Sequence, residues 1–169
     1  MKDTRELDRI DRRILKILQG DARISNVELA RQVNLSPTPC LERVRRLERE
    51  KYILDYVALL NPQKLDAALV AYVEISLDRT TTNAFERFKE AVMRLDMVQE
   101  CQMVAGGFDY LMKVRVADMV AYRKFLGENL AAIEGVSQTH TYVVMEEVKA
   151  TTAIPIVIDE RKAGQALKI

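Results

Sequence analysis

The chain has no tryptophan, a single histidine, two cysteines and only 6% aromatic residues. Each scarcity excludes something. So few aromatic rings argue against an aromatic-lined binding surface, and His140 alone leaves a zinc site short of ligands. Cys40 and Cys101 fall in different expected domains, so no structural disulfide is expected and the compartment is read as reducing. No stretch approaches the roughly 20 apolar residues that span a bilayer, and the opening MKDTRELDRIDRR has no apolar signal region. A cytoplasmic protein with no membrane partner is therefore expected. Nucleophile–base pairs, phosphate loops and metal-ligand spacings are also missing, which counts against an enzyme.

An excess of one charge is lacking too, because the formal net charge is +1. Its distribution is uneven. Residues 1–60 hold 13 Lys and Arg against 10 Asp and Glu, whereas the remainder holds 13 against 15, so the first third is the part suited to a polyanion.

What is present begins with length: 169 residues with 49% hydrophobic content suit two small domains. Leu7, Ile10, Ile14, Leu15, Ile17 and Leu18 recur at helical spacing, and Gly20-Asp21 stops a helix over about 8–19. Ser25 and Glu28 match a capping box opening a short helix over 26–33. Asn34 suits a left-handed helix end, Leu35 a core plug, and Ser36 the cap of a third helix with Pro37 at its first position.

That third helix reads SPTPCLERVRRLEREKYI. Pro37 and Pro39 fall in the first turn, where backbone donors lack an intrahelical acceptor. Cys40, Leu41, Val44 and Leu47 share one face, while Thr38, Glu42, Arg45, Arg46 and Arg49 take the other. An apolar inner face and a basic outer face after a short turn describe a helix-turn-helix. A short hairpin or wing is expected within Tyr52–Leu60, and a linker over 61–67.

From Ala68 the period changes. A strand over 69–77, a helix capped by Thr82-Asn83 with Phe85, Phe88, Val92 and Leu95 inward, strands over 98–105 and 108–116 joined at Gly106-Gly107, a helix over 119–133 and a strand over 136–148 follow in order. Strand, helix, strand, strand, helix, strand is the ferredoxin-like βαββαβ pattern, so the fold class is α+β. The second face of such a sheet needs a cover, and another subunit is the expected one. The tail over 150–169 offers an edge strand at 154–158.

Ser36, Thr38 and Pro39 stand at the end of the third helix that meets base edges, with Arg43, Arg45, Arg46 and Arg49 available for phosphates or guanines. An ordinary solvated helix face is the competing reading. Gly106 and Gly107 suit a tight hairpin, but exposed backbone N–H groups there also suit a carboxylate, and Asp109 an ammonium. Cys101 and His140 are read as packing residues.

SPTPCLERVRRLERE, preceded by RISNVELA and followed by ALLNP, resembles the DNA-binding half of the Lrp/AsnC (feast/famine) family. FDYL at 108–111, DMVAYRK at 118–124 and TYVVMEEVK at 141–149 resemble its effector half, so the likeness covers roughly residues 5–150. The resemblance implies a transcription regulator that binds double-stranded DNA over residues 1–60. It also implies a domain over 68–149 that senses an amino acid, leucine or a related one, with no other cofactor. Homodimers assembling to octamers are implied as well. It supports DNA contact by the residues above and Glu42, and adds Met103, Met119, Tyr142, Val143 and Val144 to the effector site. The tail after Lys149 departs from the best-known member. The rival readings are a small cytosolic enzyme or enzyme subunit with a ferredoxin-like domain, and an architectural DNA-binding protein without effector.

Overall fold

The computed structural model describes residues 6–79 and 81–158. They divide into two compact units, one made by the chain up to Ala58 with the segment from Ala150, the other by Leu59–Lys149.

The first unit holds α1 (Arg9–Gly20), α2 (Asn26–Gln32) and α3 (Pro37–Arg49). A capping box starts α1: the Asp11 N–H donates to the Asp8 carboxylate at 2.8 Å, and the Asp8 N–H to the Asp11 carboxylate at 3.1 Å. Past the end of α2, Asn34 has φ 57, the left-handed value expected of it. Ile14, Leu29, Ala30, Val33, Cys40 and Leu47 are buried together, with Ile10, Leu35 and Val44 packed at the edge. Fully burying an aliphatic side chain contributes only about 1.5–3 kcal/mol, so so small a core leaves room for other forces to matter.

Two local expectations fail here. Among the described residues no strand forms between Lys51 and Leu60, so there is no hairpin or wing; the segment opens with a turn at Lys51 and continues without regular structure, with Leu54, Leu59 and Leu60 exposed. Leu41, placed on the inner face by its period, is 36% exposed.

In the second unit a 3-10 turn (Pro62–Leu65) leads to β1 (Leu69–Leu77), α4 (Thr82–Val92), β2 (Val98–Met103), β3 (Tyr110–Val116), α5 (Met119–Lys124) and β4 (Val136–Val143). The sheet order is β2-β3-β1-β4 with every neighbouring pair antiparallel, the ferredoxin-like arrangement. Ala71, Val73, Ile75 and Leu77 alternate inward with Tyr110, Met112, Val114 and Val116, and meet Phe88, Val92, Tyr122, Phe125 and Leu130 from the helices. Phe88 stacks on Tyr110 with ring centroids 4.4 Å apart.

The corrections in this unit are to lengths and turns. Thr81 rather than Thr82 or Asn83 caps α4, its hydroxyl accepting from Ala84 N–H at 3.3 Å. After Lys124 the backbone passes into a π-helical stretch, Phe125–Leu130, instead of continuing as α-helix. β4 ends at Val143, five residues before the expected end at 148. β2 and β3 are joined by a loop over 104–109 in which neither Gly106 nor Gly107 takes a positive φ. A wide loop reverses the chain without the left-handed residues that a two-residue hairpin demands.

Candidate DNA-reading and ligand-binding sites

α3 is set by its first turn. Ser36 occupies the cap position with extended backbone, yet its hydroxyl makes no capping hydrogen bond and is exposed. Ser36 is the cap residue as expected, but without the side-chain bond, and Pro37 and Pro39 remove two of the N–H groups of that turn. Asn26 was not foreseen as a positioning residue. Its Nδ2 donates to the Pro37 carbonyl at 2.8 Å, tying the start of α2 to the start of α3. At α2 only half of the expected capping box forms: Ser25 accepts from Glu28 N–H at 3.2 Å, while the Glu28 carboxylate turns to Arg31 and Gln32. Those hydrogen bonds, from Arg31 first, push the Glu28 carboxyl down to about 2.

The arginines of α3 separate into two sets. Arg43 Nη1 lies 2.6 Å from Asp8 and 2.8 Å from Asp11, and Arg46 Nη2 lies 2.5 Å from Asp11. Asp11 is 1% exposed. A carboxylate buried this deeply is tolerable only when its charge is paired and its oxygens are hydrogen-bonded, as here. The same pairs raise the pKa of Arg46, by hydrogen bonding to Asp11. Around Asp8, burial is outweighed by the Asp11 N–H and the Arg43 guanidinium, which hold its carboxyl below the usual range. The placement of Arg46 on the outer face is therefore corrected, and Arg43 is likewise paired with carboxylates of α1 and its cap. Both clamp α3 to α1.

The outward face keeps Ser36, Thr38, Glu42, Arg45 and Arg49, all exposed, with Pro39 half-buried beside them. Among the described residues neither Arg45 nor Arg49 has a carboxylate within salt-bridge distance. A helix face with two such guanidiniums, a hydroxyl and a carboxylate can donate to phosphates and guanines and accept from cytosine.

The ligand-site candidates also separate into two sets. Met103, Gly106, Gly107 and Asp109 gather at the loop joining β2 to β3, where the Asp109 N–H donates to Ile75 O at 2.9 Å and its carboxylate accepts from Leu77 N–H at 2.7 Å. Asp109 thus pins the loop to β1 with one oxygen and offers the other. Tyr142 lies opposite Tyr72 and Val143 opposite Ala71, Val144 N–H donates to Val70 O, and Met119 follows the end of β3 that pairs with Leu69. From Leu77 to Tyr72 along β1 is five residues, roughly 17 Å at about 3.4 Å per residue. The two sets thus lie at different places along β1, the loop residues by Ile75 and Leu77 and the β4 residues by Tyr72 and Ala71. Met103, Met119 and Tyr142 are each about half exposed, at 52%, 46% and 55%.

Of the remaining reactive groups, Cys40 is fully buried, and burial pushes the Cys101 thiol up to about 11, so neither is a ready thiolate at neutral pH. His140 is exposed on β4 opposite Glu74, so it does not pack in the core of this copy. Among the described residues no group of His, Cys, Asp or Glu has the spacing to hold a metal.

Residues 7–53 match the family described as winged helix-turn-helix DNA-binding, and residues 70–154 that of the Lrp/AsnC ligand binding domain. A leucine-responsive regulatory protein of Klebsiella pneumoniae is 60% identical over 152 residues, 90% of this chain and 93% of its own. The protein of that name from Escherichia coli strain K12 shows the same identity and coverage. A transcriptional regulator of Neisseria meningitidis in complex with L-Met superposes with TM-score 0.85 at 36% identity, covering 88% of this chain and 96% of its own. An AsnC family transcriptional regulator from Agrobacterium tumefaciens has the same score and identity, over 88% and 97%. The chain belongs to the Lrp/AsnC family of transcriptional regulators, with a DNA-binding helix-turn-helix ahead of a ligand-binding domain.

Proposed function

We propose that the protein is a non-enzymatic, cytoplasmic regulator that reads operator DNA through Ser36, Thr38, Glu42, Arg45 and Arg49, and whose assembly and DNA affinity respond to leucine or a closely related amino acid. The observation that carries the DNA half is the division of α3. Two arginines are held by Asp11, so the outward pair is the charge left for a duplex. Thr38, near the helix start, meets base edges, and the Ser36 hydroxyl meets phosphate. Residues 1–60 act as the reader and 68–149 as the sensor, with 61–67 as linker and 150–169 as tail.

The leucine half is supported by relatives named for that response and by the L-Met complex of a structural neighbour. The separation of the ligand-site candidates supports assembly. A site made of both sets takes Gly106, Gly107 and Asp109 from one copy and Met119, Tyr142, Val143 and Val144 from another, with Met103 beside the loop. Backbone N–H groups of the loop receive the amino-acid carboxylate, and the remaining Asp109 oxygen receives the ammonium. Assembly then proceeds through dimers to a closed ring, an octamer in this reading, because identical copies repeat one contact.

Sedimentation and operator binding measured side by side across a leucine titration test this reading. The expected outcome is an oligomer larger than a dimer whose size and DNA affinity shift together with leucine. A concentration-independent monomer, or a protein that does not retain DNA at moderate salt, contradicts it.

A further inference from the structure

The chain returns to the helix-turn-helix unit after leaving the sensor. Residues 150–158 belong with the first unit, although the strands of the sheet lie within Leu59–Lys149. The edge strand expected at 154–158 does not form. A side chain takes its main chain instead. Gln19, in the last turn of α1, donates from Nε2 to Ile154 O at 3.0 Å and accepts from Ile154 N–H at Oε1 at 2.6 Å. A carboxamide carries the donor and acceptor of a peptide group, so Gln19 supplies one rung of strand pairing without a strand. This contact ignores the Ile154 side chain, which is exposed. Farther on, Ile158 lies in an open groove with Ile17, Ile24 and Gln32, flanked by Arg9, Arg13 and Lys16. The segment therefore runs back along α1 from its last turn.

We propose that Ala150–Ile158 is a latch, held on α1 by Gln19, that couples the ligand-binding domain to the DNA-reading domain. The chain passes between the two units twice, after Ala58 and after Lys149, and the second passage is held to the helices by hydrogen bonds. The first connection, by itself, leaves the reader free to reorient, because Lys51–Leu60 forms no secondary structure that would stiffen it. The second is anchored, and an anchored return closes a ring in the chain and reduces that freedom. Ligand binding that shifts or orders the chain near Lys149 then favours one latch state over the other, which is all that coupling between distant sites requires. Two exposed hydrogen bonds suit this role, since a switch must open.

The coupling to ligand rests on the leucine reading, so the test has one arm without ligand. Full-length Gln19→Leu removes both bonds at similar volume, and Gln19→Glu keeps only the acceptor for Ile154 N–H. Without ligand, amide exchange and calorimetry on the wild type are expected to show Ile154 N–H protected and both domains unfolding in one transition. Gln19→Leu loses that protection and unfolds in two transitions, with Gln19→Glu between them. With leucine, the change in operator affinity in Gln19→Leu falls about fivefold or more below that of the wild type, within the usual range of coupling, while affinity without leucine is unchanged. Joint unfolding of the domains in Gln19→Leu, or a full leucine response in it, overturns the latch. A wild type that ignores leucine counts against the leucine reading, and the unfolding arm then decides the latch alone.

Discussion

On the flank of α3 that turns to α1, Arg43 and Arg46 lie within 2.8 Å of the buried Asp11 carboxylate; on the outward face, Arg45 and Arg49 have no such partner among the described residues. Arg45 and Arg46 are adjacent in the sequence. The first pair are positioning residues whose charge is engaged in joining two helices, and the second pair have no intramolecular carboxylate to engage theirs among the described residues. Counting the arginines of a reading helix therefore overstates its charge toward DNA. The difference also explains how a small apolar core holds three helices: a buried ionic clamp ties α1 to α3 where packing is thin.

The strongest way to break the comparison is to remove the clamp's centre. Asp11→Ala leaves two half-buried guanidiniums without their carboxylate, and is expected to destabilise the reader domain by about 3–5 kcal/mol. Hydrogen exchange resolved by domain checks this, with the sensor domain unaffected. Replacing Asp11 and Arg46 together by apolar residues of similar volume should recover much of the loss. A small loss in Asp11→Ala would make the clamp incidental.

Asp8 gives a smaller effect. It is half exposed, and Asp8→Ala removes a helix cap and one Arg43 contact, at about 0.5–2 kcal/mol. The pH dependence has a definite sign. The folded pKa of Asp8 is lowered, so its contribution is complete above its unfolded value of 3.8 and is lost as pH falls through the folded one. Acid unfolding of the reader domain followed in both wild type and Asp8→Ala should show the variant less sensitive in that range.

Glu28 is the least costly and the sharpest spectroscopically. Its carboxyl is expected to titrate near 2 by NMR, with no matching loss of the α1–α3 contacts, because Glu28 pairs within α2. Added salt should move that midpoint toward the ordinary 4.5, as an exposed pair is screened. A midpoint already at 4.5 in low salt would remove Glu28 from the account.

Much of the fold was legible because period and punctuation agree. The change from helical spacing at Ile10, Ile14 and Ile17 to alternation at Ala71, Val73 and Ile75 separates the two architectures, and βαββαβ follows from element order. Arg46 was not legible, for a physical reason. A helical wheel tells core from non-core, but a residue on the flank meets solvent or a neighbouring helix according to packing that no single helix contains. One signal was available: Asp11 falls within the apolar row Leu7, Ile14 and Leu18, and a charge in such a row implies a buried partner. Gly106-Gly107 misled because a two-residue hairpin and a wide loop share the same residues, and only Asp109 reaching back to β1 decides between them. The separation of Tyr142 from Asp109 depends on strand register, which the resemblance alone did not convey.

The division of α3 is tested most directly by measuring operator affinity and thermal unfolding on the same two proteins, Arg46→Ala and the double variant Arg45→Ala/Arg49→Ala. The account predicts that the double variant melts like the wild type but binds operator more weakly, by about 1–3 kcal/mol for each lost base contact or with a salt slope reduced by about 0.9 for each lost phosphate contact. Arg46→Ala is predicted to melt earlier, losing about 1.5–3 kcal/mol for its charged hydrogen bond, and to bind operator normally at temperatures where it is folded. The reverse pattern, normal stability with lost DNA binding in Arg46→Ala and unimpaired DNA binding in the double variant, would contradict it.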